Sequence, residues 1–323
     1  MKKPFRFGVQ YYSPESPEAW RETARRAEDS GYSTFFVADH YFGPGPALEA
    51  ANHPIQTVAA IPAMMAAADA TTSIMVGCKV LCVDYHIPTV LAKELATIDY
   101  LSNGRLEIGF GAGWVASEYE AMGITMDRPG VRIKRMSEVV ELCRDFFLGK
   151  EMEHDGDYVY AKNFKAIPAS PQENGPKIMI GGGAPRILGE AGRLADIVSI
   201  NFNNSAGKIG ESGFASSKAE ETAKKIQWIR DGAGDRFDQI ELEIPAYFAA
   251  VTDQTLKTQE EMAPMFGLTL EELQEYPHAF VGSVSEICET LEARREQYGI
   301  NYISISEKNL DNFAPVVAEL TGR

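Results

Sequence analysis

Ser102-Asn-Gly-Arg-Leu-Glu-Ile-Gly-Phe-Gly-Ala-Gly-Trp114 sets a turn, a strand and a glycine loop end to end. Asn103-Gly104 is a turn signal, and Arg105 to Phe110 alternates as a short strand does. Gly109, Gly111 and Gly113 let the backbone bend and approach a ligand without side-chain clash. Trp114 follows, and Ser117-Glu118-Tyr119 opens a polar segment. A strand running into such a loop can present a phosphate-bearing cofactor, and a plain tight strand-to-helix turn uses the same residues. The neighbouring segments decide between them.

On the N-terminal side the pattern of strand then helix repeats three times. Phe5 to Gln10 alternates as a strand; Pro17 to Ser30 has helical spacing, with Ser16 as N-cap and Gly31 as stop. Thr34 to Ala38 is a continuous apolar run, as in a strand buried on both faces, and Ile55 to Asp69 is the next helix. Ile74 to Cys82 is a third strand and Pro88 to Leu101 a third helix. On the C-terminal side Val131 to Leu148 is a long helix, and Lys177 to Ile180 a strand ending in three glycines before a helix over Arg186 to Ala195. Strands over Asp196–Ile200, Ile240–Val251 (interrupted at Pro245) and Tyr302–Ser306 follow. Each is trailed by a helix, over Ser217–Asp231, Val284–Tyr298 and Asn312–Leu320. Eight strand–helix pairs without a linker or a composition shift predict an α/β fold, one (β/α)8 TIM barrel over residues 1–323. Two insertions break the rhythm. One, about 149–177 after helix 4, holds a hairpin around Tyr158-Val-Tyr160; the other, about 252–280 after strand 7, holds two short acidic helical pieces.

The 323 residues are 45% hydrophobic and 24% charged, values of a globular protein with a full core. A formal charge of −15 argues against nucleic acid or an anionic membrane as partner. The N-terminal Met1-Lys-Lys-Pro-Phe-Arg6 enters a strand with no apolar signal core, and the Ala- and Met-rich run from Thr57 to Ala70 is too short to span a bilayer. A soluble cytoplasmic protein is expected. The four cysteines form no CxxC pair or zinc spacing, and Cys78 and Cys82 are expected to share a strand face as small buried hydrophobes. No HxH, HExxH or GxSxG motif occurs, so no metal site or serine nucleophile is expected.

A barrel carries its active site at the C-terminal ends of its strands. That collects Gln10-Tyr11, Asp39-His40, Lys79-Val80, Gly111 to Trp114, Gly181 to Gly183, Asn201 and Glu307 around one mouth. His40 beside Asp39 is the candidate acid or base. His53 and His86, close to prolines, read as structural; His154 and His278, in the insertions, read as solvated. Gly181-Gly-Gly-Ala-Pro-Arg186 has the make-up of an anion site, with free N–H groups opening onto a helix N-terminus.

These residues together resemble the luciferase-like monooxygenase family of flavin and deazaflavin enzymes. The matching pieces are Phe5–Gln10, Arg25–Tyr32, Phe36-Val-Ala-Asp-His40, Leu101–Trp114 with Ser117-Glu-Tyr119, and Lys177–Gly183. Similarity is greatest to the branch that uses coenzyme F420, a 5-deazaflavin. The resemblance implies a homodimer, and a hydride passed between F420 and a small organic substrate. It places Asp39 beside the ring and a non-proline cis peptide at Lys79-Val80, bulging behind the ring. It further places Gly111, Ala112, Gly113, Ser117 and Glu118 along the ring and ribityl chain, and Gly181, Gly182, Gly183 and Ala184 at the phosphate. Sugar-phosphate dehydrogenases of the family carry a glutamate where this chain has Trp114, which points instead to an apolar substrate pocket from Tyr11, Phe42 and Trp114. His40 would then move the proton, oriented by Asp39. A basic exit for the acidic tail of F420 could come from Arg128, Arg132, Lys134, Arg135 and Arg186. Two alternatives stay open: an FMN-dependent monooxygenase served by a flavin reductase, and a cofactor-binding barrel without turnover.

Overall fold

The structure, a computed structural model, describes residues 2–323; Met1, where the N-terminal reading begins, lies outside them. Eight parallel strands make the barrel: β1 (Arg6–Gln10), β2 (Thr34–Val37), β3 (Met75–Cys78), β4 (Glu107–Gly111), β5 (Lys177–Gly182), β6 (Ile197–Ile200), β7 (Glu241–Pro245) and β8 (Ile300–Ser306). Their order in the sheet is β3-β2-β1-β8-β7-β6-β5-β4. The ring closes through the continuation of β3, Leu81–Cys82, which pairs with β4 at Leu81–Phe110 and Cys82–Gly111. A lower bridge joins Val76 to Leu106. More residues therefore separate the two pairings in β3 than in β4, and the surplus is taken up as a bulge at Lys79–Val80, whose peptide is cis.

Strand alternation sorts the side chains. On β1, Phe7 and Val9 turn outward into the layer between barrel and helices, as do their neighbours Phe5 and Tyr11 at either end. Tyr11 stacks on Trp20 at 5.5 Å and Phe7 meets Phe313 at 6.2 Å. Arg6, Gly8 and Gln10 turn inward. The interior is consequently layered. At the bottom Arg6 pairs with Glu107 (2.6 Å) and Glu241 (2.8 Å), and the Tyr302 hydroxyl donates to Glu107 at 2.8 Å. Phe36, Met179, Ile197 and Tyr302 fill the middle, with Val80 packed against them. Above them Lys79 Nζ donates to Ser304 Oγ (2.7 Å) and pairs with Glu243 (3.0 Å).

Most helices form where local signals placed them. Ser16 Oγ accepts from the Ala19 N–H at 3.0 Å to cap Pro17–Asp29, and prolines also start Pro88–Leu101, Pro129–Phe147 and Pro185–Leu194. The helix expected from Ile55 begins only at Ala60. Gln56 holds the preceding chain extended by donating to the Ala38 carbonyl (2.6 Å) and the Val58 carbonyl (2.8 Å). A short helix, Pro46–Ala51, is not anticipated by the local sequence pattern. The first insertion is an antiparallel hairpin, Glu151–Asp155 with Tyr160–Lys165. In the second, Thr255–Met262 and Leu270–Glu275 are helical, and flanking Phe248–Val251 pairs in parallel with Ala279–Gly282 outside the ring. Among the described residues no helix is long and apolar enough to cross a membrane.

Candidate active site

A cavity of about 550 Å³ opens at the C-terminal ends of the strands. Its floor is built around Val80. A Cβ added to Gly109 or Gly111 would lie 2.7 Å from a Val80 methyl, and one on Gly181 would lie 3.2 Å away. The glycines of β4 and β5 thus make room for the β3 bulge. Of Gly109, Gly111 and Gly113 only the last needs its positive φ of 72°, and a Cβ there would also overlap the Tyr119 hydroxyl. Gly182 and Gly183 are small for a similar reason: side chains there would run into Ile187 and the Phe202 backbone. The β5 end is drawn onto the N-terminus of Pro185–Leu194, a helix with no side-chain cap and no acidic residue in its first turn. Its free N–H groups and dipole suit an anion at the cavity edge, where Gly181, Gly182, Gly183, Ala184 and Ile187 all contribute to the wall.

His40 stands at the opposite wall. Its Nδ1 lies 2.7 Å from Glu118 Oε2, and the same carboxylate accepts from the Tyr41 N–H (2.6 Å) and the Tyr85 hydroxyl (3.1 Å). Burial alone would raise the Glu118 carboxyl, but the hydrogen bonds from His40, Tyr41 and Tyr85 outweigh it and hold it below the usual range. Ionised Glu118 can only accept, so His40 Nδ1 carries the proton and Nε2 is left for the cavity. This replaces the expected arrangement. Asp39 does not orient His40: its Oδ2 accepts from the Cys82 N–H at 2.9 Å and lies 2.8 Å from His86 Nε2, fastening the chain just past the bulge. His86, read as merely structural, is thereby part of the site's frame.

Asp39 Oδ1 is buried without a hydrogen-bond partner among the described residues, and Asp39 lines the cavity. An orphaned carboxylate oxygen there suits an N–H or O–H of a bound molecule. Lys79 also lines the cavity, but its ammonium is committed to Glu243 and Ser304, and its carbonyl accepts from Gln10 Nε2 at 2.8 Å. Burial lowers its pKa against the pull of Glu243.

Of the expected substrate-pocket residues only Trp114 lines the cavity. Tyr11 faces Trp20 in the outer core, because the inward register of β1 falls on Gln10 and Tyr12; Tyr12 lines the cavity instead. Phe42 is buried with Leu48, Ala51 and Val115, underneath His40 at 6.0 Å. Ser117 Oγ donates to the Ala47 carbonyl at 2.7 Å and anchors a loop, and Glu118 acts from behind His40; neither lines the cavity. Six further aromatic residues that the sequence did not single out do: Tyr85, Phe202, Phe214, Tyr247, Phe248 and Phe266. Cys78 and Cys82 are buried but separated by the bulge, and burial pushes the Cys82 thiol up to about 12, which keeps it inert.

Two histidines carry a pH prediction. His53 lies over His40 with ring centroids 4.1 Å apart and donates from Nδ1 to the Pro54 carbonyl at 2.8 Å. Burial first, and His40 second, lower it to about 4. His278, expected to be solvated, is fully buried among Phe202, Tyr247 and Tyr276, and burial pushes it well below 6.5. Both are depressed in the folded state, so the unfolded chain binds more protons once pH falls below about 6.5. Stability is therefore held above that value and lost as pH drops through the folded values. Urea unfolding between pH 7 and 5 should show a decline of up to about 1.4 kcal/mol per pH unit for each histidine. His278→Asn should flatten that decline; an unchanged slope would refute the assignment.

The expected basic exit divides. Arg132 donates to the Ala112 carbonyl at 2.9 Å and to that of Gly113, so it fixes the glycine loop. Arg135 pairs with Asp84 (2.7 Å) and Asp127 (2.5 Å), and Lys134 pairs with Asp157. Arg128 and Arg186 make no ion pair among the described residues. The Arg186 guanidinium lies over Gly130 and, with Glu138, Glu141 and Glu190, lines a separate groove that adjoins the cavity at Ile133.

Comparison with known proteins adds three findings. Residues 1–225 match the family model described as luciferase-like monooxygenase. The 5,10-methylenetetrahydromethanopterin reductase of Archaeoglobus fulgidus is 30% identical over 200 residues, 62% of this chain and 54% of that protein. The F420-dependent glucose-6-phosphate dehydrogenase of Nakamurella multipartita is 28% identical over 263 residues, 80% of this chain and 71% of that one. The chain thus spans little more than half of the first of these relatives. Among solved structures, the coenzyme F420 dependent tetrahydromethanopterin reductase of Methanopyrus kandleri superposes with a TM-score of 0.72 at 19% identity, covering 98% of this chain and 100% of that one, a likeness of fold.

Proposed function

The chain belongs to the luciferase-like monooxygenase family, and from that premise we propose that it is an F420-dependent oxidoreductase. It passes a hydride between the deazaflavin and a small, apolar organic substrate. The residues present fit such a cofactor: a floor raised at Val80, an orphaned acceptor on Asp39, and a helix-terminus cradle for a phosphate. When bound, the deazaflavin supplies the hydride acceptor or donor, at ring carbon. The chain supplies the proton. In the reducing direction His40 Nε2 gives H⁺ to the substrate atom left with the electron pair, and the substrate gains the elements of H₂ in all. Glu118 keeps the proton on Nδ1 and steadies the charge that the ring bears before it donates. Trp114 and the aromatic wall keep water away from the reacting atoms.

The observation that carries F420 over FMN is Arg186, which stands in the first turn of the cradle helix, makes no ion pair among the described residues and lines a groove adjoining the cavity at Ile133, on a protein whose net charge is −15. FMN ends at its phosphate, whereas F420 continues into an acidic tail that needs cations beyond it. Titration of purified protein with oxidised F420 and with FMN, followed by fluorescence, tests this. Binding of F420 at about micromolar Kd or tighter with much weaker FMN binding is expected. Arg186→Ala should weaken F420 about 2–5-fold at low salt, with the difference fading at high salt. A preference for FMN, unaltered by Arg186→Ala, would turn the assignment to an FMN-dependent monooxygenase.

A further inference from the structure

Part of the cavity is left over once the cofactor's floor and cradle are assigned. The ends of β6 and β7, together with the segments that follow them, bring Phe202, Phe214, Tyr247, Phe248 and Phe266 to one wall. Phe202 stacks on Tyr247 at 4.1 Å and 25°, and Phe214 stands edge-on to Phe202 at 5.3 Å. Phe266, carried by the second insertion, reaches Phe248 at 4.0 Å and Phe214 at 5.6 Å. The rings are continuous, and such a wall favours stacked or edge-on contact with another flat ring.

Charge at the cavity wall comes from elsewhere, namely Asp39, His40, Lys79 and Arg132. Both cations among these are taken: Lys79 by Glu243 and Ser304, Arg132 by the carbonyls of Ala112 and Gly113. A substrate phosphate or carboxylate against the aromatic wall would be desolvated with no permanent cation to pair it. The site is built for a neutral molecule.

Besides that of Ser205, one hydroxyl in the cavity, a phenol, has no hydrogen-bond partner among the described residues. It belongs to Tyr12, which the β1 register turns inward. The Tyr12 ring meets His53 edge-on at 6.3 Å, and His53 lies over His40, so Tyr12 and the proton carrier share one run of rings. Burial, then Glu307, Cys78 and Glu243, raise the Tyr12 phenol, so it remains a donor across the working pH range. The Tyr247 hydroxyl, by contrast, is already used on Asn201 Oδ1 at 3.0 Å.

We propose that this part of the cavity binds an uncharged, flat aromatic substrate bearing a carbonyl or hydroxyl oxygen. Its rings lie against Phe202, Phe214 and Phe266, and its oxygen accepts a hydrogen bond from Tyr12. The use made of that oxygen rests on the oxidoreductase reading; its binding does not.

The test is equilibrium dialysis of the purified protein, without added cofactor, against four probes of similar size. They are 2-acetylnaphthalene, 2-ethylnaphthalene, 2-naphthoate and cyclohexyl methyl ketone. The acetylnaphthalene is expected to bind about 10-fold or more tighter than the naphthoate or the cyclohexyl ketone. Tyr12→Phe should remove its advantage over ethylnaphthalene, about 5-fold, and leave ethylnaphthalene unchanged. Phe266→Leu should weaken both neutral aromatics while the protein keeps its melting transition. Naphthoate binding as tightly as the ketone, equal losses for ketone and hydrocarbon in Tyr12→Phe, or no saturable binding would each overturn the proposal. The ranking of the four probes in the unaltered protein supports or overturns it even if a variant fails to fold. F420 titration of the same preparation separates the two readings: aromatic selectivity without F420 binding would leave this proposal standing and remove the other.

Discussion

Glu118→Gln is expected to lower kcat by about 10²-fold while KM stays within about 2-fold. The carboxylate lies behind His40 and does not line the cavity, so no binding contact is lost with it. What is lost is the acceptor that holds the His40 Nδ1 proton at 2.7 Å. A glutamine amide can present either oxygen or NH₂ to that nitrogen, and the second choice drives the proton to Nε2, the wrong tautomer for taking one up. His40→Ala removes the proton carrier itself and should cost about 10²–10⁴-fold. Glu118 also accepts from the Tyr41 N–H and Tyr85, so a thermal melt of the variant is needed beside the kinetics. A folded Glu118→Gln enzyme with parental kcat would end the dyad reading. A fall in kcat matched by a large rise in KM would mean that the carboxylate shapes the pocket.

Gly77→Ala is expected to destabilise the fold by about 3 kcal/mol or more. Gly77 faces the barrel interior on β3, where a Cβ would overlap the Glu107 backbone carbonyl and lie 2.9 Å from the Phe36 ring. The carbonyl cannot move without shifting β4, and Phe36 has no free volume around it, being fully buried. Gly8 stands in the same relation to Phe36 at 2.9 Å, so glycines on neighbouring strands make the space that Phe36 and Tyr302 fill. Urea unfolding measures the effect. A midpoint close to that of the parent would show that β3 and β4 can separate at no cost, and that the close approach is not required.

Much of the fold was legible because its signals are short-range. Strand alternation, helical spacing and prolines at first helical turns act within a few residues of chain, and they located all eight barrel strands. Even Tyr12 was readable in principle: Phe5, Phe7 and Val9 mark the outward register, which puts Tyr11 outward and Tyr12 inward. Taken as the pair Gln10-Tyr11 without that period, the end of β1 points to the wrong tyrosine. Asp39 and His40 invited the same mistake. Neighbours in sequence, they turn to opposite sides of the chain and find different partners, Cys82 and His86 for one, Glu118 for the other.

The sequence by itself determined the elements, their order, the helix-terminus cradle and the set of strand ends that face one mouth. Only the closed barrel decided which side chains meet there. His40 and Glu118 are 78 residues apart, and Val80 fits against glycines on two other strands. Their meeting depends on the register in which β3 joins β4 and β4 joins β5. That register is set by packing across the whole ring, Phe36 against Gly77 and Val80 against Gly109 and Gly111, and no local stretch of chain contains it.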